Sequence, residues 1–240
     1  MGDIVQQFDH CSEEPTIVPT TAPRHHDYWN GFYAGADRDR VPEEPSAFAE
    51  WVDQQLPAGH EVVEIGFGTA RDSLYFARTG RQVHGFDFAE SAVANGNALA
   101  RSRGLSSEFA LLDLYDDEAV TRVAATLTAT PAVRAVYGRF LVHSLEDAGR
   151  ANLIRLAASV LRGGGGELFL EFRTGKDLGQ EHLFGDDHFR QFIDPMVVEL
   201  EIEDLGGAVT YREEGCGLAV YKTEDPHVAR IVAHFPEGRH

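Results

Sequence analysis

Two glycines and a series of spaced carboxylates carry the first chemical suggestion in this chain. Gly66 and Gly68 stand in "VVEIGFGTARDS" (62–73), directly after a short apolar run. Glycine lets a ligand approach the backbone with no Cβ in the way. Asp87 lies 19 residues past Gly68, at the distance where a carboxylate receives ribose hydroxyls in nucleotide-binding folds. Asp113 in "LLDLYD" can accept from an exocyclic amino group, with Leu114 beside it. Glu64 can meet an ammonium group or shape the glycine loop. A ligand with a ribose and an amino-bearing base fits this order. NAD fits it less well, because Arg71 stands where the dinucleotide fingerprint has its third glycine, whose missing side chain allows close helix–strand packing.

A second group follows in "YGRFLVHSL" (137–145) and "LFLEFR" (168–173). Histidine titrates near neutral pH and serves as a general base, so His143 is the candidate base and Glu171 the reserve. Capping or packing is the plainer role for His143. Glu171 and Arg173 alternate, so they share one face and Phe172 takes the other; a structural ion pair is the competing reading. Arg139 is expected among the cofactor contacts, with an acidic acceptor or a plain surface position as the other readings, and Phe140 borders the same loop. The segment 174–195 adds His182, His188 and Arg190, which with Arg173 and Phe140 suit a polar acceptor. The 182–188 spacing matches no compact zinc signature, so no metal is expected.

These residues need a scaffold that brings strand ends together. Apolar runs at 61–66, 82–87, 107–114, 132–138 and 167–173 read as strands. Helical patterns at 69–80, 90–104, 117–127 and 146–166 separate them. Such alternation demands a mostly parallel, doubly wound sheet with helices on both faces. Its ligands bind outside the carboxyl ends of the strands, where the winding reverses.

Around that core, residues 1–26 read as a flexible N-terminal arm, rich in proline and without periodicity. Residues 27–58 supply N-terminal capping helices. Tyr28, Trp29, Phe32 and Tyr33 crowd the first of them, packed on the domain or closing over a ligand, with Tyr28 and Tyr33 as cofactor contacts and Phe88 beside Asp87. The core is 60–173, a substrate lid 174–195, and 196–240 a C-terminal helix and strand pair. Within that last part, 196–207 reads as a helix, "VTYRE" and "GLAVYK" as the strands, and "PHVARIVAHF" (226–235) as a terminal helix.

The chain of 240 residues carries a formal net charge of -18. That surface repels phosphate backbones and anionic lipid heads, so neither nucleic acid nor membrane is an expected partner. Two cysteines, Cys11 and Cys216, make no disulfide framework. The first residues lack the basic and apolar regions of a secretory signal, which sets a cytoplasmic expectation. Oligomeric state is not legible.

The order "VVEIGFGTARDSLYFA", "GFDFAES", "ALLDLYD" resembles the successive motifs of class I S-adenosylmethionine-dependent methyltransferases, over about residues 60–173. "GTARDSLYFARTGRQVHGFD" is similar to the small-molecule branch that includes thiopurine and tellurite methyltransferases. "VYGRFLVHSL" resembles a segment of small-molecule and polysaccharide-pathway members. The resemblance implies a Rossmann-like sheet of seven strands with the last antiparallel, and S-adenosylmethionine as cofactor with S-adenosylhomocysteine as product. It implies Glu64, Gly66 and Gly68 at the methionine part, Asp87 at the ribose, Asp113 at the adenine, and Phe140 and His143 near the transferring methyl. Phe67 departs from the small or cysteine residue common there. The expected reaction is O-methylation of a hydroxyl on a polar, sugar-like or natural-product small molecule. S-, Se- or N-methylation of detoxification type is the alternative, ahead of a non-catalytic nucleotide-binding module or an NAD-dependent oxidoreductase.

Overall fold

The computed structural model describes residues 22–180, 183 and 189–236. Five strands, β1 (Glu61–Ile65), β2 (Val83–Asp87), β3 (Ser107–Leu111), β4 (Arg134–Arg139) and β5 (Gly166–Arg173), run parallel. Two more, β6 (Ala208–Gly215) and β7 (Val228–His234), complete a seven-stranded sheet in the order β3-β2-β1-β4-β5-β7-β6. β7 runs antiparallel to both of its neighbours. The winding reverses between β1 and β4, which opens a crevice above their carboxyl ends.

Seven helices accompany the sheet among the described residues: α1 (Ala22–Ala34), α2 (Ala47–Gln55), α3 (Arg71–Arg78), α4 (Glu90–Arg103), α5 (Asp117–Thr128), α6 (Asp147–Arg162) and α7 (Pro195–Asp204). Local chemistry sets several starts. Ser46, Asp116 and Asp194 cap α2, α5 and α7 by accepting backbone N–H groups of the first turn, and Pro195 opens α7 where its missing N–H costs nothing. Successive strand residues face opposite sides. Val63, Val136 and Leu168 pack under α5, α6 and α7 with Val120, Leu153, Leu156 and Val198. Val62, Ala135, Tyr137 and Phe169 meet Phe48, Val52 and Phe76 of α2 and α3 on the other face.

The mostly parallel sheet and its antiparallel member match the sequence expectation, and so does the helix within 196–207. Three expectations change. α1 begins at Ala22, inside the segment read as an arm; residues 1–21 lie outside the described residues. β3 ends at Leu111, so Asp113 sits in the following loop rather than in the strand. The expected terminal helix at 226–235 is β7, and "GLAVYK" belongs to the turn before it. β7 is buried on both faces from Val228 to Ala233, and a strand buried on both faces has no alternation to reveal it.

Candidate active site

The crevice contains a cavity of about 250 Å³, bordered by the ends of β1, β2, β4 and β5, by α1, and by the segment between β6 and β7. One half is built from the first three strand ends. Gly66 and Gly68 both take positive φ (72° and 56°), a region L side chains avoid. A Cβ on Gly68 would stand 2.6 Å from the Tyr33 hydroxyl, and one on Gly66 2.9 Å from Leu141 Cδ1. The loop therefore leaves room only for backbone on its cavity side.

Asp87 anchors this loop. Its Oδ2 accepts from Gly68 N–H at 2.9 Å and its Oδ1 from Ala89 N–H at 3.0 Å. Burial raises its pKa to about 6, against the lowering effect of the Ala89, Gly68 and Phe88 amides. Glu64 lies behind the loop and accepts from the Ser73 hydroxyl. Burial and the neighbouring Asp72 charge push its carboxyl well above the usual carboxylate range. Both acids border the cavity. Both would gain from a ligand that brings donors: hydroxyls at Asp87, an ammonium at Glu64. Phe88, Leu112, Asp113 and Leu114 form the adjoining slot. Asp113 is exposed there, with Oδ1 accepting from Tyr115 N–H at 2.8 Å. A nucleoside with an aminoacyl-like tail fits this donor-hungry cradle, so the residues present suit S-adenosylmethionine.

Arg71 and Asp72 divide their work. Asp72 accepts from Ser46 N–H (2.7 Å), Ser46 Oγ (2.8 Å) and the Tyr137 hydroxyl (2.9 Å). It ties the start of α3 to α2 and β4. Arg71, 3.6 Å from Asp72, borders the cavity.

The first helix closes over the loop. Ser91 donates N–H to Asn30 Oδ1 (2.9 Å) and Oγ–H to the Asn30 carbonyl (2.7 Å), and Asn95 Nδ2 donates to the Tyr33 carbonyl (2.9 Å). These bonds seat α1 on α4. Tyr33 borders the cavity together with Trp29 and Phe32. Tyr28 does not; its ring packs edge-on to Trp29 at 5.1 Å. The expected contact at Tyr28 is therefore corrected to Trp29 and Phe32, which lie on the helix face turned to the crevice.

The other half gathers around Phe140. This residue has φ 53°, unusual for a bulky side chain and a form of strain that collects at functional sites. The guanidinium carbons of Arg139 and Arg173 lie 4.2 and 5.1 Å from its ring centre. His143 is buried and borders the cavity, and its Nδ1 accepts from Arg173 N–H at 3.1 Å. Arg173 in turn reaches Asp177 Oδ2 (2.7 Å) and Glu224 Oε1. Glu171 is fully buried and does not border the cavity. Its two oxygens accept from Arg139 Nε and Arg230 Nε, each at 2.8 Å. That corrects its reading as a reserve base: a carboxylate clamped between two guanidiniums holds β4, β5 and β7 in register and has no route to a substrate. His182 and His188 lie outside the described residues. Among the described residues no group of three His, Cys, Asp or Glu side chains could hold a metal.

Sequence reasoning missed Tyr221 and Glu224, which border the cavity from the turn before β7. The Tyr221 hydroxyl donates to the Arg40 carbonyl at 2.9 Å, and Arg230 Nη2 holds the Leu218 carbonyl at 2.8 Å. Both contacts depend on chain pairings that no local spacing displays.

Comparison with known proteins bears on the same region. Residues 62–165 match the family model described as a methyltransferase domain. No curated protein sequence matches the chain. Solved structures do. An S-adenosylmethionine-dependent methyltransferase from Anabaena variabilis is 18% identical with a TM-score of 0.65, over 90% of this chain and 95% of that one. Magnesium protoporphyrin IX methyltransferase from Synechocystis, with bound S-adenosylhomocysteine, is 15% identical with a TM-score of 0.61, over 89% and 99%. A structure concerned with conversion of a disulfide bond into a thioacetal group during echinomycin biosynthesis is 17% identical with a TM-score of 0.67, over 89% and 93%. At these identities the structural likeness is one of fold.

Proposed function

We propose that this chain, a class I S-adenosylmethionine-dependent methyltransferase, methylates an oxygen of a polar small molecule of sugar-like or natural-product type. The observation that supports the acceptor class is the composition of the second half of the cavity. Arg139, His143, Ser144, Arg173, Tyr221 and Glu224 border it, beside the apolar Phe140, Leu141 and Leu145. These groups already have partners within the protein, and a lipophilic acceptor would add no bond to them while displacing the water they face. A hydroxylated or charged acceptor satisfies them.

When bound, the cofactor supplies an electrophilic methyl on a sulfonium. The chain's own part is to hold both molecules in line and keep water out, which alone can account for much of a rate enhancement. Asp87 and Asp113 fix the nucleoside, Glu64 and Arg71 stand by its amino-acid tail, and α1 roofs the loop. Arg173, tied to Asp177 and Glu224, sets the acceptor wall.

The test is transfer of isotope-labelled methyl to a panel of sugar, sugar-acid, phenolic, amine and thiol acceptors, with the methylated atom assigned by NMR. Methyl on oxygen of a polar acceptor is the expected product. Preference for thiol, selenol or amine acceptors would replace this reading with the detoxification type. Binding of S-adenosylmethionine without turnover on any class would replace it with a non-catalytic module.

A further inference from the structure

We propose that Arg139 anchors the methyl acceptor by a carboxylate, and that the methyl goes to a different atom of that acid. The proposal rests on the reading that the Phe140 half of the cavity takes the acceptor, and it names the acceptor's chemical class.

Arg139 ends β4, and the register sets it opposite Glu171 of β5. Its Nε donates to Glu171 Oε1 at 2.8 Å, and its guanidinium carbon lies 4.2 Å from the Phe140 ring centre. One edge of the guanidinium is therefore tied, and an aromatic ring supports it. Nη1 and Nη2 make no hydrogen bond among the described residues. The side chain is only 17% exposed, yet neither of these nitrogens is sealed from solvent, and the residue borders the cavity. Their open N–H groups thus reach the cavity. A guanidinium held at Nε presents its two Nη groups as a planar fork, which matches the two oxygens of a carboxylate. The Glu171 bond and the Phe140 contact fix that fork before a ligand arrives, which lowers the ordering cost of binding.

The surroundings favour an added anion. Tyr137 lies two residues before Arg139, on the same face of β4, and its hydroxyl donates to Asp72 Oδ2 at 2.9 Å. That contact lays the start of α3, with Arg71, across the same face. The one ion pair of Arg71 is with Asp72, at 3.6 Å. Three guanidiniums, Arg71, Arg139 and Arg230, thus share two carboxylates, Asp72 and Glu171. Burial pushes the nearby Glu64 toward its neutral form. A carboxylate entering here meets unmatched positive charge where the dielectric is low.

The same grip decides where the methyl goes. A carboxylate held at both oxygens has its lone pairs engaged and is a poor nucleophile. The reacting atom is then elsewhere on the acid, and a hydroxyl fits the oxygen reading. Its lone pair forms the new C–O bond. The C–S bond breaks with its electron pair going to sulfur, and the hydroxyl proton passes to water.

Calorimetry on the S-adenosylhomocysteine-loaded enzyme tests this, with glucuronate and 4-hydroxybenzoate against their amides. At least one acid is expected to bind about tenfold or more tightly than its amide, the gain typical of a charge-assisted pair. Arg139→Lys keeps the charge and loses the fork, so it should cut that preference about fivefold while S-adenosylhomocysteine affinity stays within about twofold. Arg71→Gln removes nearby charge and keeps the fork, so it should retain most of the preference. The position of a labelled methyl on a turned-over acid, read by NMR, completes the test. The acid-to-amide comparison and the methyl position are read on the unsubstituted chain and need no variant to fold. Equal affinity for acids and amides overturns the proposal, as does an undiminished preference in Arg139→Lys. A loss in that variant confined to S-adenosylhomocysteine also overturns it and gives the fork to the cofactor's own carboxylate. Methyl on the carboxylate itself overturns it and leaves the oxygen reading standing. Methyl on nitrogen or sulfur of a bound acid supports the anchor and overturns the oxygen reading.

Discussion

The two halves of the cavity are built in different ways. The half around Gly66, Gly68 and Asp87 is made of backbone, fixed by contacts between residues close in sequence or on adjacent parallel strands. The half around Phe140 is made of long side chains held by partners far along the chain, such as Arg173 with Glu224 and Glu171 with Arg230. A backbone cradle has little freedom to change and suits a ligand that is always the same. A wall of ion-paired side chains can be altered one residue at a time, which suits the partner that distinguishes one enzyme of a fold from another.

The largest effect that could break this contrast is at Asp87. Asp87→Ala removes the clamp on Gly68 together with the proposed ribose acceptor. We expect S-adenosylhomocysteine affinity to fall about 100-fold, the scale of a lost charge-assisted pair, by calorimetry, with the far-ultraviolet circular dichroism of the folded protein retained. Unchanged affinity would remove Asp87 from the cofactor site.

A smaller effect sharpens the same half through pH. Free Asp87 has a pKa of about 6, and ribose hydroxyls donating to it would hold it ionised in the complex. Binding then releases a proton below about pH 6, and affinity should fall roughly tenfold per unit of further acidification. Asp87→Asn should flatten that profile. The sign for stability is opposite: a folded value above the unfolded one means that ionising Asp87 costs stability, increasingly so as pH rises from about 4 to about 6. A profile independent of pH between 5 and 7 would show that the carboxylate does not meet the ligand.

The second half should answer differently. Glu224→Gln weakens the hold on Arg173, which keeps Asp177. We expect the acceptor KM to rise about fivefold, near 1 kcal/mol of positioning, while S-adenosylhomocysteine affinity stays within about twofold. Equal losses on both ligands would mean that the halves are one mechanical unit.

The same contrast explains what the sequence displayed. Gly66, Gly68, Asp87 and Asp113 lie at fixed offsets along strand–loop–helix units, so their spacing pointed to the cradle. Glu171 alternated correctly with Arg173, yet its role depends on Arg230, 59 positions away. β7 read as a helix because both of its faces are covered, which erases the two-residue period. Tyr221 and Glu224 reach the cavity only because that strand turns back beside β5. Local order was legible wherever local chemistry sets structure, and illegible where the partner arrives through the sheet.

The last expected effect, of the same size, concerns the roof shared by the two halves. Ser91 bonds Asn30 twice, through its backbone N–H and its hydroxyl. Ser91→Ala removes one of these bonds and keeps the other, as well as the Asn95 bond to Tyr33. The loss is about 1 kcal/mol for a net neutral hydrogen bond, and it falls on the seating of α1 rather than on the cradle. If α1 must lift for cofactor exchange, the S-adenosylhomocysteine off-rate should rise about fivefold, followed by Trp29 fluorescence in stopped flow. Asp87, untouched, should keep its pH profile. An unchanged off-rate would show that the aromatic helix is a fixed wall and that the cofactor enters past the Phe140 side. The two halves would then exchange roles, with the side-chain wall as the gate and the backbone cradle as the closed end.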